Sequence, residues 1–245
     1  LPSLSLMVRV EDLTHLSGEV QEAEALRLAV EEAGTRFDLT QAPLLRVAVL
    51  HLGDQEHVMC VTMHHIISDG WSISVLVREL GALYESSSTE PEEEALELPE
   101  LAIQYADYAI WQREWIEGEV REEQLAYWKE RLHDVPPVLE LPLDYPRPAV
   151  QSYQGASLNR LMPEGLVKRL GKLSREEGTT LYMTLLTGFE ILLHRYSGQD
   201  VLWVGTPVAN RNRPEIEGLI GFFVNMLPIR SEFTGNRTVR ELLRQ

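Results

Sequence analysis

The sequence predicts an α+β fold, with sheet and helix mixed in each of two halves. Two β-rich runs, Leu44–Leu52 and His57–Met63, flank Gly53-Asp54-Gln55-Glu56, the spacing of a hairpin. Runs with a period near 3.6 lie before and after that pair and read as helices. Residues 134–150 carry Pro136, Pro137, Pro142, Pro146 and Pro148, after which strand-like and helix-like runs begin again. No regular strand–helix–strand alternation occurs, so a doubly wound sheet is not expected.

In chain order, Leu4–Val10 alternates like a strand. Gln21–Ala33 is rich in Ala, Leu and Glu, with Leu26, Ala29, Val30 and Ala33 on one helical face and Gly34 as the stop. Of the hairpin strands, the second is almost continuously apolar, which predicts a central strand covered on both faces. It leads directly into His64 and His65. Beyond Trp71, the residues Ile73, Leu76, Val77, Leu80, Leu83 and Tyr84 form a helical stripe. The acidic, serine-rich stretch from Glu85 to Glu100 predicts a solvated loop.

Two aromatic-bearing helices are expected over about 102–116 and 118–132, with the rings of Tyr105 to Trp115 in core and inter-helix packing. The proline-dense 134–150 forbids helix and interior strand and reads as an extended connector and domain boundary. Ala156–Leu161 then predicts a strand. Leu166, Val167, Leu170 and Leu173 give a helix that begins at Pro163 and closes at Gly178. Thr179 or Thr180 caps the next helix, which Gly198 stops. Val201–Val204 is expected as a short strand entering the turn Gly205-Thr206-Pro207, with a last strand over Phe222–Ile229. A helix starts at Val239. The chain opens inside a strand and closes inside a helix, so it reads as a fragment of a longer polypeptide.

A net charge of −16 argues against nucleic acid and anionic membrane surfaces as partners, since both need basic patches. Glu90, Glu92, Glu93, Glu94, Glu97 and Glu100 concentrate much of that charge. No apolar run reaches membrane-span length and no signal-peptide pattern opens the chain. Cys60 is the single cysteine, which excludes a disulfide framework and a cysteine-based zinc site. A reducing, cytoplasmic setting is expected.

The chemistry concentrates in Met63-His64-His65-Ile66-Ile67-Ser68-Asp69-Gly70-Trp71-Ser72. Neighbouring residues on an extended segment point to opposite sides, so His64 and His65 are poorly placed to share a metal, and no further Cys or His cluster completes a ligand set. Asp69 is positioned to cap the helix that follows. His65, where a strand breaks into a turn, can serve as a general base or an orienting hydrogen-bond acceptor near neutral pH, or be a satisfied core histidine. There is no G-x-S-x-G elbow, Ser72 reads as part of a helix start, and Cys60 lies in an apolar strand as an inert thiol. Phosphate-cradling loops are absent. Pattern alone therefore reaches a His-dependent, cofactor-free transferase or hydrolase.

The same stretch resembles the HHxxxDG signature of condensation domains of non-ribosomal peptide synthetases, within the chloramphenicol-acetyltransferase-like superfamily. Further stretches extend the resemblance along the whole chain, in the family's order. Phe37-Asp38-Leu39 with Pro43-Leu44-Leu45-Arg46 resembles the segment before the central hairpin, and Tyr105-Ala106-Asp107-Tyr108-Ala109-Ile110-Trp111 resembles YxDYAxW. Gly205-Thr206-Pro207-Val208-Ala209-Asn210-Arg211-Asn212-Arg213-Pro214 and Ile220-Gly221-Phe222-Phe223-Val224-Asn225-Met226-Leu227 resemble the later motifs. An upstream motif, RHExLRTxF in outline, and the end of the second lobe are not in the chain, so low stability in isolation is expected.

The resemblance implies a V-shaped pseudo-dimer of two acyltransferase-like lobes, about 1–145 and 146–245, truncated at both ends, with a tunnel between them. It implies partners: upstream and downstream peptidyl carrier domains bearing phosphopantetheine thioesters, and a neighbouring adenylation domain. No cofactor is implied on the domain itself. The amine of the acceptor attacks the donor thioester to make an amide. By position, His65 sits near the attacking amine, and His64 and Asp69 are structural. Arg211, with Arg213 second, is the expected partner of Asp69 from the other lobe. Gly70 leaves room for the thioester and offers its N–H to the developing oxyanion. The motif departs from the DGxSWR of epimerisation relatives, and the intact histidines depart from cyclisation relatives; Ile67-Ser68-Asp69-Gly70-Trp71-Ser72 resembles the domains that join an L-configured donor to an L-configured acceptor. Rival readings are a stand-alone coenzyme A- or carrier-dependent acyltransferase and a non-catalytic domain that recruits carriers or partner enzymes.

Overall fold

A computed structural model of the chain describes residues 5–87, 98–152 and 155–245. The elements begin with β1 (Val8–Asp12), α1 (Gly18–Gly34), β2 (Leu45–Gly53) and β3 (Glu56–Met63). A single 3-10 turn over His65–Ile67 leads to α2 (Gly70–Ser87), α3 (Tyr105–Ile116) and α4 (Glu119–Arg131). Then come α5 (Glu164–Glu176), α6 (Leu181–Ser197), β4 (Val201–Val208), α7 (Pro214–Glu217), β5 (Asn225–Glu232) and α8 (Val239–Leu243). Helix and sheet are mixed throughout, as expected of an α+β fold. Two compact units arise: Leu1–Glu114 with Ala209–Asn225, and Trp115–Val208 with Met226–Gln245. The chain leaves the first unit after Glu114, and residues 209–225 return to it.

In the first unit, β1 pairs parallel with β2, and β2 pairs antiparallel with β3 through the two-residue hairpin Asp54-Gln55. The order β1-β2-β3 makes β2 the central strand. That corrects the expectation for His57–Met63. Among the described residues β3 pairs on one side only, and Val58 and Met59 are exposed. An apolar run shows affinity for a covered surface; it does not say which strand of a pair receives the cover. Likewise β1 begins at Val8 rather than Leu4, and Leu4 itself lies outside the described residues.

Helix α1 packs on this sheet through Ala25 and Leu28, in a cluster with Leu13, Leu16, Leu50, Leu52 and Cys60. The face expected to be buried is rotated away: Leu26 and Val30 are exposed, while Glu32 is buried. The reason is polar. Arg46 of β2 donates to the Glu32 carboxylate at 2.5 Å and to the Glu32 and Thr35 carbonyls at 2.9 Å, and this anchoring turns α1 so that Glu32 faces the sheet. In α2 the same correction applies. Ser72 and Val75 are buried, whereas Ile73, Val77, Leu80, Leu83 and Tyr84 of the expected stripe are exposed. The helix is rigid, so fixing its first turn through Ser72 fixes which face follows. The expected acidic loop lies largely outside the described residues, and Glu85–Ser87 at its start complete α2.

The other cluster of this unit joins Tyr108 of α3 to Ile216, Leu219 and Phe223 of the returning segment, with Ile103 and Tyr105 against it. Of the aromatics on α3, Tyr108 takes the expected buried place, but Trp115 is half exposed.

In the second unit, Thr180 Oγ1 accepts from Met183 N at 3.2 Å and caps α6, and Gly198 closes that helix at φ 69°, as the sequence predicts. A reciprocal capping box between Thr238 and Glu241 opens α8. β4 and β5 form a two-stranded sheet. Residues 134–150 form neither helix nor strand. Ala156–Leu161 is not a strand: Leu158 and Leu161 are exposed, and alternation without a neighbouring strand leaves backbone groups unpaired. Gly205-Thr206-Pro207 continues β4 instead of turning. The last strand begins at Asn225 rather than Phe222, because Phe222 and Phe223 are held elsewhere.

Candidate active site

The turn after β3 is built by local hydrogen bonds. His64 N donates to Leu44 O at 3.0 Å, which ends the hairpin pairing, and His64 Nδ1 accepts from Ile66 N at 3.1 Å. His64 therefore serves as the cap of the 3-10 turn, and its ring meets Phe37 edge-on. His65 behaves differently. Its Nδ1 lies 2.7 Å from Ser68 O. A carbonyl only accepts, so Nδ1 carries the proton, and in the neutral ring Nε2 keeps its lone pair. The His65 side chain is exposed, and its ring stands at 87° to that of Phe222, with centroids 5.1 Å apart.

Asp69 is buried and does two jobs. As helix cap, its Oδ1 accepts from Ser72 N at 2.9 Å. The same oxygen accepts from Ser72 Oγ at 2.8 Å and Arg211 Nη2 at 3.2 Å. Its Oδ2 accepts from the backbone N–H groups of Phe223 and Val224 at 3.0 and 3.2 Å. Burial works to raise the Asp69 pKa, but the Ser72 and Phe223 N–H groups, the Ser72 hydroxyl and Arg211 together hold it down to about 2. It is a carboxylate at any working pH.

Arg211 arrives on the returning segment. Asn210, at φ 55°, supplies the left-handed turn that aims it inward. The Arg211 side chain has no exposed surface. Its Nη1 donates to the carbonyls of Ile216 and Leu219 at 2.6 and 2.7 Å, closing its own loop, and Nη2 donates to Asp69 and to Ser72 Oγ. The guanidinium also lies over the Phe223 ring at 4.0 Å. Arg213, the second choice from sequence, lies over Trp111 instead. Arg211 and Asp69 belong to the same compact unit.

Sequence reasoning passed over the residue that ties these together. Ser72, with no exposed surface, accepts from Arg211 Nη2 and Gly221 N, and its single proton serves Asp69 Oδ1 or Gly221 O. A serine in a helix's first turn reads as local capping, and nothing nearby announces partners 149 residues away. Gly221 is required by space: a Cβ there would come within 2.1 Å of the Tyr105 ring. Tyr105 donates to Phe222 O at 2.8 Å, and Trp71 Nε1 to Glu217 O at 2.9 Å. Gly70, the first residue of α2, is exposed, and a side chain placed there would meet nothing within 4 Å. Among the described residues no group of three or more His, Cys, Asp or Glu could hold a metal ion, and no helix is long and apolar enough to cross a membrane.

The mixed helices and sheets of the two units make this an α+β protein. Within that class it belongs to the Condensation domain family, whose sequence model matches residues 2–245. It is similar to a linear gramicidin synthase of Brevibacillus parabrevis, with 54% identity over 236 residues, 96% of this chain and 4% of that protein. With the phosphinothricin tripeptide synthetase PhsC of Streptomyces viridochromogenes it shares 43% over 243 residues, 99% of this chain and 22% of that protein. Among solved structures, a four-domain nonribosomal peptide synthetase bound to AMP and glycine matches at TM-score 0.81 and 29% identity, over 99% of this chain and 18% of that one. The X-domain from teicoplanin biosynthesis matches at TM-score 0.83 and 27% identity, over 97% of this chain and 52% of that one. The chain thus spans only a small part of the curated relatives it matches.

Proposed function

We propose that this chain contributes the HHxxxDG site of a peptide-bond-forming domain in non-ribosomal peptide synthesis. The donor is an acyl or peptidyl thioester on an upstream carrier domain, and the acceptor is an aminoacyl group on a downstream carrier, both held on phosphopantetheine. The acceptor amine attacks the thioester carbonyl; a C–N bond forms, the C–S bond breaks, and the thiolate leaves. His65 Nε2 accepts a hydrogen bond from the attacking amine and its proton as the bond forms, and returns that proton to the leaving thiolate. The observation that carries this reading is the His65 Nδ1 contact with Ser68 O at 2.7 Å, which leaves the other ring nitrogen free. Gly70 gives the thioester room, and its N–H serves the oxyanion.

His64, Asp69 and Arg211 act as scaffold rather than reactants. Both Asp69 oxygens and both Arg211 Nη atoms are engaged with each other, with Ser72 or with backbone groups, and Arg211 Nε is buried without a partner among the described residues, so neither side chain reaches a substrate proton. We assign residues 1–145 and 146–245 to the two acyltransferase-like lobes, an L-configured donor and acceptor to the substrates, and the cytoplasm as the setting. An adenylation domain adjoins, and the domain needs no cofactor of its own. The test is the complete synthetase with both carriers loaded. His65→Ala is expected to slow peptide-bond formation by about 10²- to 10⁴-fold, the range a positioned general base supplies. An unchanged rate refutes the role given to His65 and favours a domain that only recruits carriers.

A further inference from the structure

Phe222 connects the buried Asp69–Ser72–Arg211 network to the exposed imidazole, although it touches none of that network's side-chain atoms in a polar way. Its neighbours are clamped on both sides. Gly221 N donates to Ser72 Oγ, which lies 2.9 Å from the Gly221 carbonyl, and Phe223 N donates to Asp69 Oδ2. The Phe222 carbonyl itself accepts from Tyr105 Oη. With the backbone fixed at three successive residues, the Phe222 ring is projected away from the buried network and meets His65 edge-to-face at 5.1 Å and 87°.

The His65 ring is also restrained by the Nδ1 contact with Ser68 O. One hydrogen bond fixes where Nδ1 points but leaves the ring free to rock about that contact. A perpendicular aromatic neighbour restricts the rocking, because ring quadrupoles favour the edge-to-face arrangement over intermediate tilts. We infer that Phe222 is a positioning residue for the reaction: it holds the His65 imidazole so that Nε2 faces the acceptor amine. On this view Asp69, Ser72 and Arg211, none of which reaches the reacting atoms, influence the rate through Phe222. The inference rests on the role proposed above for His65.

A double-mutant cycle in the complete synthetase with loaded carriers tests it. Phe222→Ala is expected to lower the single-turnover rate of peptide-bond formation about 10- to 100-fold, the cost of a misplaced catalytic group, with KM for the acceptor-loaded carrier unchanged. Phe222→Tyr, which keeps the ring, is expected to remain within about threefold of the parent. In a His65→Ala background, Phe222→Ala should cost nothing more. A residue that merely supports the fold would slow both backgrounds by the same factor, and that additivity overturns the inference. So does a Phe222→Ala variant that runs at the parental rate. If His65→Ala alone runs at the parental rate, it is the reading of His65 that fails. The two failures are thereby distinguishable.

Discussion

Ser72 and Gly221 hold each other across 149 residues of chain: Gly221 N donates to Ser72 Oγ at 3.1 Å, and the same oxygen lies 2.9 Å from Gly221 O. The helix start that follows the histidines is thereby fastened to the segment that brings Arg211. Because Ser72 Oγ also accepts from Arg211 and faces Asp69 Oδ1, one hydroxyl unites the backbone at Gly221, a carboxylate and a guanidinium.

Replacing Ser72 by alanine should therefore cost far more than a typical helix-start serine. It strips a partner from Gly221 N, from Arg211 Nη2 and from whichever of Gly221 O and Asp69 Oδ1 takes the hydroxyl proton, in a site without water-exposed alternatives. Each buried group left short costs about 1–3 kcal/mol. A loss of about 3 kcal/mol is expected for Ser72→Ala, read as a shift of the urea midpoint of the domain with little change in slope. A loss below about 1 kcal/mol would show that the neighbouring groups find other partners.

Asp69→Asn tests the carboxylate itself. The asparagine oxygen can replace only one carboxylate oxygen, and its amide nitrogen must then face donors: Phe223 N and Val224 N on one side, or Ser72 N and Arg211 on the other. The Arg211 cation is also left buried without its counter-charge. Breaking a buried pair from one side costs about 3–5 kcal/mol, so Asp69→Asn should destabilise more than Ser72→Ala. Equal stability of Asp69→Asn and the parent would show that neither the charge nor the second acceptor oxygen holds the site together.

How far the sequence reveals this arrangement depends on the range of the interactions. The hairpin 45–63, the stop at Gly198 and the cap at Thr180 rest on neighbours a few residues apart, and all form as their residue types suggest. The buried faces of α1 and α2 depend on remote anchors, Arg46 on Glu32 and Gly221 on Ser72, and hydrophobic periodicity points to the wrong side in both. Ala156–Leu161 has strand-like alternation but no strand beside it. At the site, His65 and Asp69 stand out because polar groups interrupt an apolar run. The pairing of Asp69 with Arg211 followed only from resemblance to the family's motifs, and Ser72 and Phe222 carry no local signal of their roles.

Gly221→Ala should act through Tyr105. The added methyl would overlap the Tyr105 ring at Cδ2 and Cε2, and that ring packs edge-to-face on Phe223 at 5.1 Å. Backbone on one side and the Phe223 contact on the other leave the ring little room, so overpacking of about 1–3 kcal/mol is expected. Thermal denaturation of Gly221→Ala against the parent measures it. A Gly221→Ala variant with an unshifted midpoint would mean that Tyr105 turns aside at no cost.

Acidification should act on stability with two opposite signs, because two buried carboxyls are shifted in opposite directions. Glu190, buried on α6, has its pKa raised by burial above the ordinary 4.5, with the Ser231 hydroxyl partly offsetting that effect. Its Oε1 has no hydrogen-bond partner among the described residues. A carboxyl whose folded pKa exceeds the unfolded value is a burden at neutral pH. That burden is relieved as pH falls through the raised folded pKa to 4.5. Asp69 is the reverse: its folded pKa of about 2 lies below the ordinary 3.8, so its contribution is present above 3.8 and lost as pH falls from there to about 2. The gap is worth about 2 kcal/mol. Stability followed by urea denaturation should therefore gain from Glu190 as pH is lowered towards 4.5 and lose from Asp69 below 3.8. Glu190→Gln should stabilise the domain at pH 7 and remove the gain at the upper step while leaving the lower loss in place. A Glu190→Gln variant less stable than the parent at pH 7 would show that the ionised carboxylate is better accommodated than its surroundings suggest.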